Sequence, residues 1–246
     1  MDRRAYLRGV AGGGVASALA GCLAGSDGQS SPHTYLDRPE SQRADSADLP
    51  YPAWGQELPS ATLPAPLADE TVTTTQFTGQ RNVLLTFFYS HCPNVCQQMI
   101  GQMRNVQADA IEEGYADEVA FLAVTFDPER DAPQRLETYA EQKHVALDAG
   151  NWYFLRPESA ERAEAVVTET FGIEFQKTDA NGDPVENGSG SGNGTDSTDY
   201  YFTHLGLVLL VDVDGYVERA YQFAKSGNPP WQDRRDDLQR VIEREE

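Results

Sequence analysis

Residues 83–103, VLLTFFYSHCPNVCQQMIGQM, read as a buried strand running straight into a helix, with Cys92 and Cys96 at the junction. Residues 83–89 have Thr86 as their one polar member and are rich in β-branched and aromatic side chains, the composition of an interior strand covered on both faces. Ser90, His91, Cys92 and Pro93 break the strand, and Pro93 suits a first helical turn, where its missing N–H has no partner to lose. Val95, Met99, Ile100, Met103 and Val106 then recur at helical spacing. Both cysteines therefore fall at a helix N-terminus, where free backbone N–H groups and the positive end of the helix dipole stabilise a thiolate.

The rest of the chain alternates strands with helices. Residues 67–77 alternate weakly and, with the turn at Thr78-Gly79-Gln80, predict an N-terminal hairpin. Residues 118–126 form a second buried strand ending at DPERD, after which Asp131 is placed to cap a helix over 132–143. Residues 151–155 predict a short strand and 158–171 a helix closed by Gly172. Residues 179–199 hold Val185 as their one large apolar side chain, so a flexible loop is expected there; Asn187 and Asn193 in it fit the glycosylation pattern, which a loop of this composition matches easily by chance. Two strands follow, 200–212 and 216–223, joined at Val213-Asp214-Gly215, and a helix over 233–244 closes the chain with Leu238, Val241 and Ile242 on its inner face. This order implies an α/β fold with parallel pairing and right-handed crossovers.

Charge narrows the partners. Nineteen basic against thirty-nine acidic side chains give −20, and the lysines are Lys143, Lys177 and Lys225 alone. Such a surface repels a polyanion, which excludes nucleic acid as a partner and reads as the solvated acidic exterior of proteins from high-salt surroundings.

The first residues look like an address. Arg3 and Arg4 precede a Gly/Ala-rich run over 9–21 that is too short to span a bilayer, and Leu19-Ala20-Gly21-Cys22 follows. This segment resembles a twin-arginine export signal ending in a lipobox, which implies that 1–21 is removed, that Cys22 becomes the lipid anchor and that the protein works on the extracytoplasmic face of the cell membrane. Residues 22–60, rich in Ser, Asp, Gly and Pro and without periodicity, are expected to be a flexible tether to a domain over 61–246. Outside the cytoplasm Cys92 and Cys96 are free to cycle between dithiol and disulfide.

Strand, cysteine pair, helix, strand, helix, hairpin and last helix resemble a thioredoxin-like fold, here with a central mixed sheet flanked by helices, an N-terminal hairpin and an inserted flexible loop before the last hairpin. HCPNVC, then VTFDPERDAP, then Tyr200-Tyr201-Phe202-Thr203-His204 ahead of an apolar strand and a VDVDG turn together resemble the SCO/SenC copper-chaperone family. The resemblance implies a copper ion, as Cu(I) and also Cu(II), held by Cys92, Cys96 and His204, and delivery of that copper to the dinuclear centre of a terminal oxidase subunit. The chain departs from the family's pattern at Asn94, Gln97, Thr203 and Leu205, which alters the surroundings of the ligands.

Without the resemblance the residues leave alternatives open. Two thiols four residues apart across one helical turn can close a disulfide, since their α-carbons lie near the ~4.4–6.8 Å that a disulfide requires, or can bind one ion. Soft sulfur with one imidazole favours Cu(I), with zinc as the competitor. Cys92 and Cys96 also fit two small buried side chains, and a lone strand histidine such as His204 is more often structural than a ligand. His91 adjoins Cys92, His33 and His144 fall in tether and helix-end contexts, Met99 and Met103 read as core, and Asp127 and Asp131 end the neighbouring strand. A second function class therefore stands beside the copper carrier: an extracytoplasmic thiol-disulfide oxidoreductase with Cys92 and Cys96 as its redox-active pair, acting on a thiol partner protein such as the oxidase subunit.

Overall fold

The computed structural model describes residues 33–179, 181–185, 200–223 and 230–245. The expected signal (1–21), the anchor Cys22, and Asn187 and Asn193 lie outside the described residues.

A five-stranded mixed sheet in the order β5-β4-β3-β8-β9 forms the centre. β3 (Asn82–Phe88) and β4 (Val119–Thr125) are parallel neighbours buried along their whole length, as continuous apolar runs require. β5 (Trp152–Leu155) extends the parallel half, while β8 (Gly206–Val211) and β9 (Val217–Phe223) add the antiparallel half. The two polar residues of β3 both find partners: the Thr86 hydroxyl donates to the Leu207 carbonyl at 2.7 Å, and Asn82 Nδ2 donates to Glu245 Oε2 at 3.0 Å. α1 (Val95–Glu113) packs on β3, β4 and β8 and along α4 (Trp231–Glu245), burying Met99, Ile100, Met103 and Val106 at full helical spacing. Among these, Met99 and Met103 are core side chains at 0% exposure. α2 (Pro133–Lys143) and α3 (Ala160–Glu164) cover the remaining crossovers; α3 runs on into a π-helical turn, Ala165–Thr170.

Four expectations are corrected. The N-terminal hairpin lies earlier than its alternation suggests, with β1 (Thr62–Ala65) paired to β2 (Glu70–Thr73), because Pro66 opens the turn between its two strands instead of preceding the first. The single strand expected over 200–212 is two: β7 (Tyr201–His204) pairs with β6 (Phe175–Thr178) in a separate ribbon, and the chain changes sheets at Leu205 before β8. The inserted loop is folded at its start, where the Asp179 N–H donates to the Asp183 carbonyl at 2.9 Å and the Asp179 carboxylate accepts the N–H groups of Asn181 and Asp183; residues 186–199 lie outside the described residues.

The fourth correction concerns the tether. Residues 33–60 form a strap laid against the outer edge of the sheet. Its anchors are Leu36, Tyr51, Ala53, Trp54 and Leu58, all buried, and its backbone pairs with β9 and the preceding turn through Gly55 N–H to Val217 and Leu58 N–H to Gly215. The Trp54 indole N–H donates to the Leu36 carbonyl at 2.9 Å, and Tyr35 and Leu36 N–H groups both donate to Glu218. The strap also fills space left by a missing side chain: a Cβ on Gly172 would stand 1.5 Å from the Pro50 oxygen. An unpaired edge strand invites association with other chains, and the strap covers part of this one.

Candidate metal centre

Three elements deliver three ligands to one corner. β3 ends at Phe88, and the following turn carries Cys92; α1 opens with Cys96 in its first turn; β7 ends on His204. Gly206 allows this approach, since a Cβ there would meet Val95 Cγ2 at 2.6 Å. The two sulfurs and an imidazole nitrogen lie within 4.8 Å of one another. Donors each 2.0–2.3 Å from a common ion can be at most ~4.6 Å apart, so a shift of a few tenths of an ångström suffices for shared coordination. Cys92 and Cys96 are free thiols at 4% and 0% exposure.

The protonation pattern follows from the hydrogen bonds. His204 Nδ1 lies 3.0 Å from the Leu205 carbonyl, which can only accept, so Nδ1 carries the proton and Nε2 keeps its lone pair, 3.3 Å from Cys96 Sγ. That is the tautomer a metal-binding histidine needs, oriented by a backbone carbonyl. Cys92 Sγ accepts the Cys96 N–H at 3.4 Å and so sits where a capping oxygen would sit at the start of α1. Its thiol is lowered to about 4, chiefly by the hydrogen bond from Cys96, against burial, with help from the Asn94 and Cys96 N–H groups. Cys96 goes the other way: burial and then the neighbouring Cys92 push it well above the ordinary thiol range. One sulfur is therefore a ready thiolate and the other keeps its proton until something replaces it.

The helix start differs from expectation. Pro93 lies before the N-cap Asn94 rather than in the helix, and Asn94 makes no side-chain cap. Asp131 caps nothing: α2 follows Ala132 without a side-chain cap, and the Asp131 carboxylate instead accepts the Ser90 N–H at 3.1 Å and the Thr125 hydroxyl. Asp127 is equally structural. It accepts the Tyr200 hydroxyl at 2.7 Å and Arg130 Nε at 2.6 Å, while Arg130 also donates to the Tyr200 carbonyl. Asp127 and Asp131 thus fasten the histidine strand and the cysteine turn to the end of β4. His91 is exposed beside Ser90, His33 stacks on Tyr216 in the strap, and His144 follows α2; none joins the ligand cluster.

Aromatic rings that sequence reasoning passed over wall the site. Phe126 and Tyr89 flank the His204 ring at 4.9 and 6.2 Å between centroids, and Phe202 stands edge-on to both. Tyr89 and Phe202 were visible as the aromatic ends of the two ligand-bearing segments. Above the ligands opens a cleft of about 600 Å³, bounded by α1's first turn, β7 and the 179–182 turn.

The chain matches the family model described as SCO1/SenC over residues 67–233. A SCO1/SenC family lipoprotein from Bacillus anthracis superposes with a TM-score of 0.57 at 22% identity, over 77% of this chain and 96% of that one. Bradyrhizobium japonicum ScoI with copper bound gives 0.54 at 22%, over 75% and 98%. BsSco, described as having a disulfide switch and as a member of the Sco family of cytochrome c oxidase assembly proteins, gives 0.53 at 22%, over 78% and 95%. At these identities the structural likeness establishes the fold. No curated protein matches the chain in sequence.

Proposed function

The chain belongs to the SCO1/SenC family, and from that premise we propose that it binds copper through Cys92, Cys96 and His204 and carries it to the copper-accepting subunit of a terminal oxidase. The observation that carries the reading is the convergence of two sulfurs and one bare imidazole nitrogen within 4.8 Å, from elements more than a hundred residues apart in sequence. Soft sulfur donors with a single imidazole select Cu(I) over harder ions, and no fourth Cys, His or carboxylate joins the cluster among the described residues, which disfavours a closed zinc site. Bound here, copper would supply a transferable soft cation. Cys92 offers a thiolate, Cys96 releases its proton on binding, and the Leu205 carbonyl keeps His204 Nε2 free. The copper-bound ScoI structure and the oxidase-assembly role ascribed to BsSco support the reading.

The low Cys92 and high Cys96 values favour a second reading, a thiol-disulfide oxidoreductase in which Cys92 attacks and Cys96 resolves. LAGC and the arginine pair support a lipid anchor at Cys22 and work on the extracytoplasmic face. Among the described residues no helix is long and apolar enough to cross a membrane.

Anaerobic titration of reduced protein with Cu(I) tests the choice. One equivalent should bind, and His204→Ala should weaken binding at least the ~10–100-fold that losing an outer partner costs other metal sites, while disulfide formation survives. Unchanged affinity in His204→Ala, with thiol exchange intact, would promote the oxidoreductase.

A further inference from the structure

The turn that carries Cys92 is held by an unusual device. Asn94, at the N-cap with φ −136° and ψ −94°, makes no cap; its Oδ1 accepts from Gln98 instead. Pro93 has no N–H to give. What reaches across the turn is Gln97: its Nε2 donates to the Cys92 carbonyl at 2.8 Å, and its Oε1 accepts from Lys143 Nζ. Lys143 is the basic residue of α2's last turn, where the helix dipole favours a cation, so the amide is oriented by a group already fixed in place. Both Gln97 and Lys143 are half-buried. An amide has one donating and one accepting end, and here each end has a partner that can use only that end. The orientation is therefore determined.

We propose that Gln97, aimed by Lys143, is a positioning residue for Cys92: it fixes where the first sulfur stands relative to the second, and so sets both the dithiol–disulfide equilibrium and the affinity for a soft cation. The affinity half rests on the copper reading above; the redox half does not. The contact is present in the dithiol form, so losing it should favour the disulfide. In a glutathione buffer the two thiols give up two electrons and two protons, the Cys92–Cys96 bond forms, and one glutathione disulfide becomes two glutathiones.

The test measures that equilibrium, Cu(I) affinity by competition, and the melting temperature for wild type, Gln97→Ala, Gln97→Glu, Lys143→Met and the Gln97→Ala/Lys143→Met pair. Gln97→Ala should shift the equilibrium roughly tenfold toward disulfide and weaken Cu(I) about tenfold, the low end for outer-shell losses, with little change in melting. Gln97→Glu keeps the size and the lysine but lacks the N–H, so it should behave like Gln97→Ala. Lys143→Met should act in the same direction but less, and the double variant should add nothing to Gln97→Ala, because both residues act through one hydrogen bond. A wild-type equilibrium in Gln97→Glu, or full additivity in the double variant, would overturn the proposal. If wild type takes up no Cu(I) while the equilibrium still responds to Gln97, the copper reading falls and the positioning role stands; if Cu(I) binds and neither quantity responds, the reverse holds. Should Gln97→Ala fail to fold, Lys143→Met, outside the turn, decides by the same two readouts.

Discussion

Cys92 stands beyond one end of β3 at 4% exposure with its thiol lowered to about 4, whereas Asp212, beyond the opposite end of the sheet at 1% exposure, is pushed up to about 8. Both acids are buried, so burial does not explain the difference. Around Cys92 three groups donate: the Cys96 thiol and the backbone N–H groups of Asn94 and Cys96. Asp212 has the Tyr216 N–H at 2.8 Å, but burial outweighs it and Glu218 and Asp214 add like charge. Its Oδ2 is buried without a hydrogen-bond partner, which favours the protonated carboxyl. Glu218 spends both oxygens on the strap, accepting Tyr35 N–H at 2.5 Å and Leu36 N–H at 2.9 Å. Donors decide which buried acid is charged, and the molecule uses one answer to prepare a ligand and the other to hold its strap.

The largest effects should come from breaking the strap's corner. Glu218→Ala strands two backbone donors at about 1–3 kcal/mol each, less for whichever reaches water. Gly172→Ala should reach the same end by a different route, driving a Cβ against the Pro50 oxygen while φ is +67°. Urea unfolding should show both as losses of several kcal/mol, with early proteolytic cutting between 33 and 60. His204→Ala, at the ligand corner, should cost little stability. Equal losses at both corners would erase the distinction.

The second prediction sets the two acids against each other in pH. Asp212 has a folded value near 8, raised from an ordinary 3.8, so its contribution is full below about 4 and is lost as pH rises through 8. Cys92 has a folded value near 4, lowered from 9.0, so in reduced, metal-free protein its contribution is full above about 9 and is lost as pH falls through 4. Between those limits Asp212→Asn should gain on wild type as pH rises, and Cys92→Ser should fall behind it, each by a few kcal/mol. Urea midpoints across the range measure both slopes. Slopes of the same sign would mean that burial alone governs the two sites.

The same contrast explains what the sequence made legible. The cysteine corner was readable because strand, turn and helix are contiguous and each has a pattern: β3 is apolar from Val83 to Phe88 but for Thr86, and α1 repeats at 3.6. His204 became a candidate only through its motif, for it lies 108 residues from Cys96 and local pattern carries no such pairing. The strap was misread because Leu36, Tyr51 and Trp54 are buried one at a time, by irregular backbone that has no period to detect. Asp131 looks like a cap from its place before Pro133; its real partner, the Ser90 N–H, belongs to the turn after β3, 41 residues earlier. Gln97 showed only as a departure from the family's pattern, and Lys143 gave no signal, since a helix-end lysine is common in any chain.

The smallest expected effect concerns salt and separates surface charge from the buried pair. Carboxylates such as Glu112, Glu113, Asp117 and Glu118 crowd the end of α1 in the open, in a chain of net charge −20. Raising salt shortens the screening length from ~30 Å at 0.01 M to ~3 Å at 1 M, which relieves repulsion among exposed groups and should raise the melting temperature by a few degrees. Asp212 and Glu218 are buried at 1% and 0% exposure, out of reach of counterions, so salt does not screen the repulsion between them. Wild type and Asp212→Asn should therefore climb in parallel at fixed pH, keeping the gap between them constant. A flat wild-type curve would show that the surface charge costs the fold nothing, and a gap that closes with salt would place the Asp212–Glu218 pair within reach of solvent ions.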